Sequence, residues 1–195
     1  LGDGTTDDRS AFVAADKAAA GRGILVPSGS YFIGRSLTLH APVSFEGTLS
    51  MAEKSVLSLT KQFDLPTYIR AFGEEELGFV KAFQSLLSDS DHESLDMAGR
   101  KVTINGPLDM ARLSGRTRFA QRRVVRNGQL NAAGDSVWNS VKVTSQGSYS
   151  AYYQTRLSNV TNVANIQVGS LVEGVGVGRE VYVREVNLSA QQITL

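Results

Sequence analysis

The densest group of titratable side chains in the sequence follows a predicted helix near the middle of the chain. Its members are Asp89, Asp91, His92, Glu93 and Asp96. Two carboxyl groups at a fixed separation can hydrolyse a glycosidic bond, and a base beside a neutralised uronate can drive β-elimination. Asp91, His92 and Glu93 are therefore the catalytic candidates. A charged cluster after a helix C terminus is also typical of a solvated loop, and that interpretation is the stronger one.

A second group combines aromatic rings with an arginine in the last third of the chain. It consists of Trp138, Tyr149, Tyr152, Tyr153 and Arg156. Flat rings cover the C–H faces of sugars, and a guanidinium pairs with a carboxylate through two parallel hydrogen bonds. These residues are therefore the candidates for glycan binding. The alternative is that the rings pack a hinge between a helix and a β module, and the sequence favours it.

Three aspartates near the N terminus, Asp3, Asp7 and Asp8, could form an acid–base pair or bind calcium. They precede an alanine-rich stretch, where a short carboxylate can accept the unpaired amide protons of a first helical turn. The sequence therefore favours a structural role in capping and in the preceding turn. No metal site is predicted, and the absence of cysteine excludes thiolate ligands.

Two further motifs suggest a binding function, but the residues next to each motif argue against it. Residues 112–126 contain six arginines and no acid, which suits phosphate or anionic polysaccharide, but only Phe119 could stack on a base. The Gly174–Gly178 run is rich in glycine, yet an alternating strand pattern follows it instead of the helix that a dinucleotide loop needs. We therefore predict neither nucleic-acid binding nor a cofactor.

The first forty residues set out the elements that must position these groups. The acidic, glycine-containing run 2–8 predicts a turn, and residues 9–20 predict a helix because they are rich in alanine. Residues 24–34 predict two short strands around a Pro-Ser-Gly corner, and residues 36–39 predict a third by strict alternation. The predicted elements are therefore short and closely spaced.

The remainder of the chain partly repeats this order. Residues 74–87 place four apolar side chains on one helical face, and residues 93–108 follow with a strand, a glycine corner and a strand. Between them, Asp64-Leu65-Pro66 is expected to break a strand. Alternation from residue 128 to 143 predicts that Val137, Val141 and Val143 face inward, and the valines of the last fifty residues predict a small β module.

The run GDGTTDDRSAF, the alanine-rich helix and the run ILVPSGSYFIG resemble the opening segment of pectate-lyase-like right-handed β-helix proteins, which include phage tailspikes. The resemblance covers residues 1–40. It implies a mainly β fold: a right-handed parallel β-helix with capping α-helices, and a small all-β module at the C-terminal end. We expect three parts: residues 1–72 with the capping helix and first coils, 73–144 with a second helix-plus-coil unit, and 145–195 with the β module.

The same resemblance implies a function. It suggests the N-terminal part of a phage tailspike or tail-fibre-like protein that recognises, and in enzymatic forms degrades, bacterial surface polysaccharide as a homotrimer. The protein would then lie on the virion or outside the cell, with the catalytic residues of any depolymerase beyond Leu195. The alternatives are a non-enzymatic receptor-binding, structural tail or adhesin component, and a secreted polysaccharide lyase, hydrolase or epimerase.

Composition is compatible with these expectations. Twenty Lys and Arg residues oppose nineteen Asp and Glu residues, so the totals favour neither a nucleic-acid partner nor a membrane surface. No apolar run reaches the length of a membrane span, and we expect no membrane insertion.

Overall fold

The computed structural model describes residues 2–88, 91–116, 118–134 and 136–195, and the chain divides into two compact units, residues 1–138 and 139–195. The first unit contains, in chain order, β1 (Asp3–Asp7), α1 (Arg9–Ala19), β2 (Ile24–Val26), β3 (Ser30–Ile33), β4 (Leu37–Leu39), β5 (Val43–Phe45), β6 (Thr48–Met51), β7 (Leu57–Leu59), α2 (Leu65–Phe72), α3 (Glu75–Ser88), β8 (Ser94–Asp96), β9 (Lys101–Ile104), α4 (Met110–Ser114), β10 (Val124–Arg126) and β11 (Gln129–Ala132). The second contains β12 (Ser148–Tyr149), β13 (Arg156–Ser158), β14 (Glu185–Asn187) and β15 (Gln192–Thr194). The three-part division expected from the sequence stays a prediction.

The strands of the first unit pair in parallel in several small sheets. β1, β3 and β6 form a three-stranded sheet, whereas β2–β5, β4–β7, β8–β10 and β9–β11 form separate pairs. The register shifts once in the β1–β3 pair, between Asp3 and Asp7, whereas β2–β5 and β4–β7 pair without a shift, with Ile24 opposite Val43 and Leu37 opposite Leu57. Because side chains alternate along a strand, this register puts matched apolar residues on the buried face of each pair.

Two helices supply much of the core of the first unit. Asp64 caps the N terminus of α2 through Oδ1, which accepts the amide of Thr67 at 2.9 Å, and Gly73 caps the C terminus with a φ of 73° that favours glycine. α2 packs against α3, and both contact the strands. The largest fully buried side chains include Tyr68, Phe79, Leu86, Ile33 and Leu57.

The expectation of a mainly β, right-handed parallel β-helix is wrong. The fold is mixed α/β, with 23% helix and 28% strand, several short sheets and no β-helix among the described residues. The sequence signals were local: short apolar strands and glycine corners. A β-helix also needs ladders that continue from coil to coil, and here α2 and α3 fill the core between the early pairs and the later ones.

The second unit is built on one antiparallel sheet with strand order β12-β13-β15-β14. Its core consists of Val160, Val163, Val183 and Ile193. The inward orientation predicted for Val137, Val141 and Val143 is wrong, because all three are exposed. Alternation buries side chains only within a sheet, and residues 140–147 form no strand.

Candidate functional site

The β12–β13 hairpin gathers most of the predicted glycan-binding residues. Tyr149 ends β12, Arg156 begins β13, and the connection between them contains Tyr152 and Tyr153. Two turns fix the connection: the amide of Tyr153 donates to the carbonyl of Ser150 at 3.0 Å, and the amide of Arg156 donates to that of Tyr153 at 3.1 Å. Short-range hydrogen bonds therefore hold the two loop tyrosines next to the arginine.

Strand register divides these residues between the two faces of the sheet. Tyr149 is opposite Leu157, which is opposite Ile193, so Tyr149 shares the face that packs the core. Arg156 is the neighbour of Leu157 in β13 and therefore lies on the other face. The structure thus brings together Tyr152, Tyr153 and Arg156, which we call the tyrosine–arginine cluster, and separates Tyr149 from it.

Two exposed rings form the aromatic part of the tyrosine–arginine cluster. Tyr152 is 85% exposed and Tyr153 is 49% exposed. Their ring centroids lie 4.9 Å apart at an interplanar angle of 83°, which is an edge-to-face contact. Because the rings support each other without stacking face to face, the Tyr152 ring keeps its flat surface in solvent.

Arg156 completes the cluster. Its guanidinium carbon lies 3.8 Å from the centroid of the Tyr153 ring, which is cation–π distance. Its Nε atom is buried and has no hydrogen-bond partner among the described residues. Among the described residues, the contact that fixes the guanidinium is the Tyr153 ring.

The other glycan-binding candidates lie elsewhere. Tyr149, which is 63% exposed, lines a cleft of about 1480 Å³ in the second unit together with Gln154 and Arg184. Trp138 belongs to the first unit, where it ends a short 3₁₀ helix, Ser136–Trp138, and is partly exposed.

The catalytic candidates lie where β8 begins. Asp91 and Glu93 are exposed, whereas the His92 ring stacks on Phe63 with centroids 4.8 Å apart and an interplanar angle of 8°. Arg123 donates to the carbonyl oxygen of His92 at 2.9 Å. One face of the imidazole is therefore covered by an aromatic ring. Asp89 lies outside the described residues.

Asp96, from the same charged cluster, stabilises a turn. Its Oδ1 accepts the amide of Ala98 at 2.8 Å and the side-chain amide of Asn127 at 3.0 Å, and its Oδ2 lies 3.1 Å from the guanidinium of Arg126. The Ala98 amide, then the Asn127 side chain and the Arg126 charge, lower the pKa of Asp96. This carboxylate is therefore bound within its own unit.

Asp3 begins β1, the strand that the structure has in place of the turn predicted for residues 2–8, and it stabilises the irregular part of that strand. Its Oδ1 accepts the amides of Thr5 at 2.9 Å and Thr6 at 2.8 Å, and its Oδ2 accepts the Thr6 hydroxyl at 2.7 Å. These bonds, led by the Thr6 amide, strongly lower the pKa of Asp3.

Asp7 and Asp8 lie at the N terminus of α1 in different roles. Asp7 Oδ1 accepts the amides of Arg9 and Gly34, each at 3.0 Å, and the Gly34 bond is the main reason that the pKa of Asp7 is lowered. Asp8 occupies the N-cap position and is buried, but its side chain makes no capping bond to the helix; its Oδ2 faces the amide of Gly2 at 3.4 Å. The carboxylate that contacts the first helical amide is therefore Asp7.

The arginine-rich stretch is partly engaged within the first unit. Arg112 pairs with Glu53 at 3.2 Å, Arg116 donates to the carbonyl of Ser88, and Arg126 pairs with Asp96. These contacts join residues 28 to 59 positions apart in the chain, so the local sequence could not predict them.

A buried polar cluster was missed by sequence reasoning. Lys81 of α3 is only 3% exposed, and its Nζ donates to the carbonyls of Ala52 at 2.7 Å, Glu53 at 3.1 Å and Ser55 at 2.8 Å. Gln84 Nε2 also donates to the Glu53 carbonyl, at 2.9 Å. The available signal was a lysine and a glutamine three residues apart, on a helix whose other positions are largely apolar.

Comparisons with known proteins find no relative: no family model, no curated protein and no solved structure matches the chain. Among the described residues, no group of three or more His, Cys, Asp or Glu side chains could hold a metal ion. No helix in the described ranges is long and apolar enough to cross a membrane. The function is therefore inferred from the side chains of this chain.

Proposed function

We propose that this chain binds bacterial surface polysaccharide through the tyrosine–arginine cluster, as the recognition part of a phage tailspike-like protein. The observation that supports the proposal best is the geometry of Tyr152, Tyr153 and Arg156. An exposed ring braced edge-to-face by a second ring presents a flat apolar surface of the kind that covers sugar C–H groups. The guanidinium of Arg156, which lies over the second ring, adds directional hydrogen-bond donors.

The hairpin that presents the cluster is attached to the sheet. β13 pairs with β12 on one side and β15 on the other, and the amide of Leu195 donates to the carbonyl of Thr155 at 2.7 Å. Ordering an aromatic side chain on a loop normally costs conformational entropy when a ligand binds. The turn and sheet hydrogen bonds reduce that cost because they fix the backbone on both sides of the two tyrosines.

The proposed polysaccharide binding also includes an oligomeric state, a homotrimer, and a location outside the cell. A single site of two rings and one arginine would bind a sugar weakly, whereas a homotrimer presents three sites to a repeating polymer. Linked sites raise the overall affinity by increasing the effective concentration of the second and third contacts. We therefore assign the protein to the virion surface or the extracellular space, where surface polysaccharide is accessible.

Isothermal titration of the 195-residue chain against purified capsular and O-antigen polysaccharides tests the proposal. Tyr152→Ala should weaken binding of the polysaccharide that binds best about fivefold, which corresponds to ~1 kcal/mol. Tyr152→Phe should keep most of the affinity, because the ring face remains. Phe119→Ala, which removes an exposed ring from the first unit, is the matched control and should change nothing.

Product assays on the same mixtures separate recognition from catalysis. New reducing ends would indicate a hydrolase, and reducing ends together with unsaturated uronates would indicate a lyase; either product would replace a purely binding function with the enzymatic alternative. The absence of binding to every polysaccharide, or equal binding by the Tyr152→Ala variant, would overturn the proposal.

A further inference from the structure

The charge environment of Arg156 is unusual for an arginine on a sheet. Among the described residues no carboxylate forms an ion pair with it, and its guanidinium rests on the Tyr153 ring, 3.8 Å from the centroid. An unpaired cation on a surface is ordinary. An unpaired cation whose Nε is buried and whose plane is fixed by an aromatic ring has less freedom than a solvated arginine.

The nearest acid on the same sheet face lies two strands away. In the antiparallel register Arg156 is opposite Thr194, and Thr194 is opposite Glu185. Neighbouring strands are about 4.8 Å apart, so the two backbones are separated by about 10 Å, close to the screening length at 0.1 M salt. The ion pairs among the described residues do not include one between Glu185 and Arg156.

We infer that the tyrosine–arginine cluster selects acidic polysaccharides, with Arg156 pairing with the carboxylate of a sugar acid whose ring lies against Tyr152. This inference rests on the proposed glycan-binding function and names its ligand class. A fixed, planar guanidinium matches a carboxylate through two parallel N–H···O bonds. Tyr153 covers one face of the guanidinium and Nε is buried, so a ligand carboxylate would pair with the Nη donors.

The test changes the carboxylate of the ligand and the arginine of the protein separately. Each acidic polysaccharide that binds, with alginate and hyaluronate included as probes, is titrated again after carbodiimide activation and borohydride reduction have converted its carboxylates to hydroxymethyl groups. We expect reduction to weaken binding at least tenfold, and wild-type binding of the acidic form to fall between 50 and 500 mM NaCl. Dextran, a neutral polymer, should bind more weakly than the acidic polymers.

The second part of the test changes Arg156 in the protein and leaves the polysaccharide as it is. Arg156→Gln should lose about tenfold affinity for the acidic form and nothing for the reduced form. Arg156→Lys, which keeps the charge but not the planar fork, should lose an intermediate amount. Arg179→Gln is the matched control, because it removes the same charge from an exposed residue of the same unit and should leave affinity unchanged. Far-ultraviolet and aromatic circular dichroism show whether each variant keeps its fold.

The outcomes distinguish this inference from the function on which it rests. Equal binding of native and carboxyl-reduced polymers, or preferential binding of dextran, would overturn the acidic ligand class while leaving polysaccharide binding intact. Tight binding of dextran sulfate without binding of any carboxylated polymer would overturn the carboxylate assignment. Failure to bind any polymer would overturn the proposed function itself.

Discussion

The Nζ atom of Lys81 lies 2.7 Å from the carbonyl oxygen of Ala52, and it donates to two more main-chain carbonyls in the same loop. The loop joins β6 to β7, and Lys81 comes from the middle of α3. The buried ammonium group of Lys81 thus connects the β6–β7 loop to α3, which follows it in the chain.

Replacing Lys81 should destabilise the first unit strongly. Lys81→Met keeps the length and the apolar stem but removes three hydrogen bonds and leaves the carbonyls of Ala52 and Ser55 without a side-chain donor, so we expect a loss of about 3 kcal/mol in the free energy of unfolding. Urea titration followed by circular dichroism at 222 nm measures it, because every α-helix among the described residues belongs to this unit. Lys17→Met, an exposed lysine of α1, should change the value by less than about 0.5 kcal/mol. Equal losses in the two variants would contradict the assignment.

The cap of α2 gives a second prediction. Asp64→Ala removes the acceptor of the Thr67 amide and should lower the free energy of unfolding by about 1 kcal/mol. Asp64→Ser, which restores a capping oxygen, should recover most of that loss in the same urea titration. A serine variant as unstable as the alanine variant would show that capping is not the reason.

Gly128 should be intolerant of any side chain. A Cβ atom there would overlap the Met97 side chain, with its Sδ at 2.6 Å, and would lie 2.8 Å from the carbonyl oxygen of Arg100. We expect Gly128→Ala to lower the thermal midpoint, with a destabilisation of about 1–3 kcal/mol, because part of the contact is with backbone that cannot rotate away. Gly134→Ala is the control, since nothing lies within 4 Å of its added Cβ. Similar midpoints for both variants would show that the turn around Gly128 relaxes without cost.

The pH dependence of stability should include a contribution from Asp7. The amides of Gly34 and Arg9 lower the pKa of Asp7 in the folded chain, so its carboxylate stabilises the fold above the ordinary aspartate pKa of about 4. That stability is lost as the pH falls below about 4 and through the lowered folded pKa. Asp7→Asn keeps an oxygen acceptor that does not titrate, so its urea midpoint should fall less steeply between pH 4 and pH 2 than that of the wild type. Parallel curves would mean that Asp7 does not contribute.

The sequence predicted some elements correctly because their signals are local. The helix expected at residues 9–20 is Arg9–Ala19, and the one expected at 74–87 is Glu75–Ser88. Alanine content and an apolar stripe determine such helices without help from the rest of the fold.

The errors arose where a local signal has two structural meanings. Pro66 was interpreted as a strand breaker, but it lies in the first turn of α2. Amides in the first turn of a helix have no acceptor within the helix, so the missing N–H of proline costs no hydrogen bond there, and Asp64 caps the helix. The same ambiguity explains the wrong fold class. Short apolar strands with glycine corners fit a β-helix as well as small parallel sheets packed on helices, and only tertiary packing decides between them.

The candidate site shows the same limit. The types of residue in the tyrosine–arginine cluster and their spacing along the chain were visible in the sequence, but the β12–β13 hairpin that brings them together was not predicted. The face of the sheet on which each residue lies was not, because one position of register exchanges the two faces. Tyr149 was grouped with Arg156 by residue type, and the pairing of Tyr149 with Leu157 separates them.

The parallel pairs of the first unit have a kinetic consequence. Partners such as Ile24 and Val43, or Leu37 and Leu57, are only about 20 residues apart in the chain. The entropy lost in closing a loop grows slowly with its length, and folding is faster when contacts join nearby residues. Parallel sheets usually fold slowly because their strand partners are far apart in the chain. Here the strands from β2 to β7 all lie within residues 24–59. Each pair from β2 to β7 therefore closes only a short loop, and we expect these pairs to form before those that join β8 and β9 to β10 and β11.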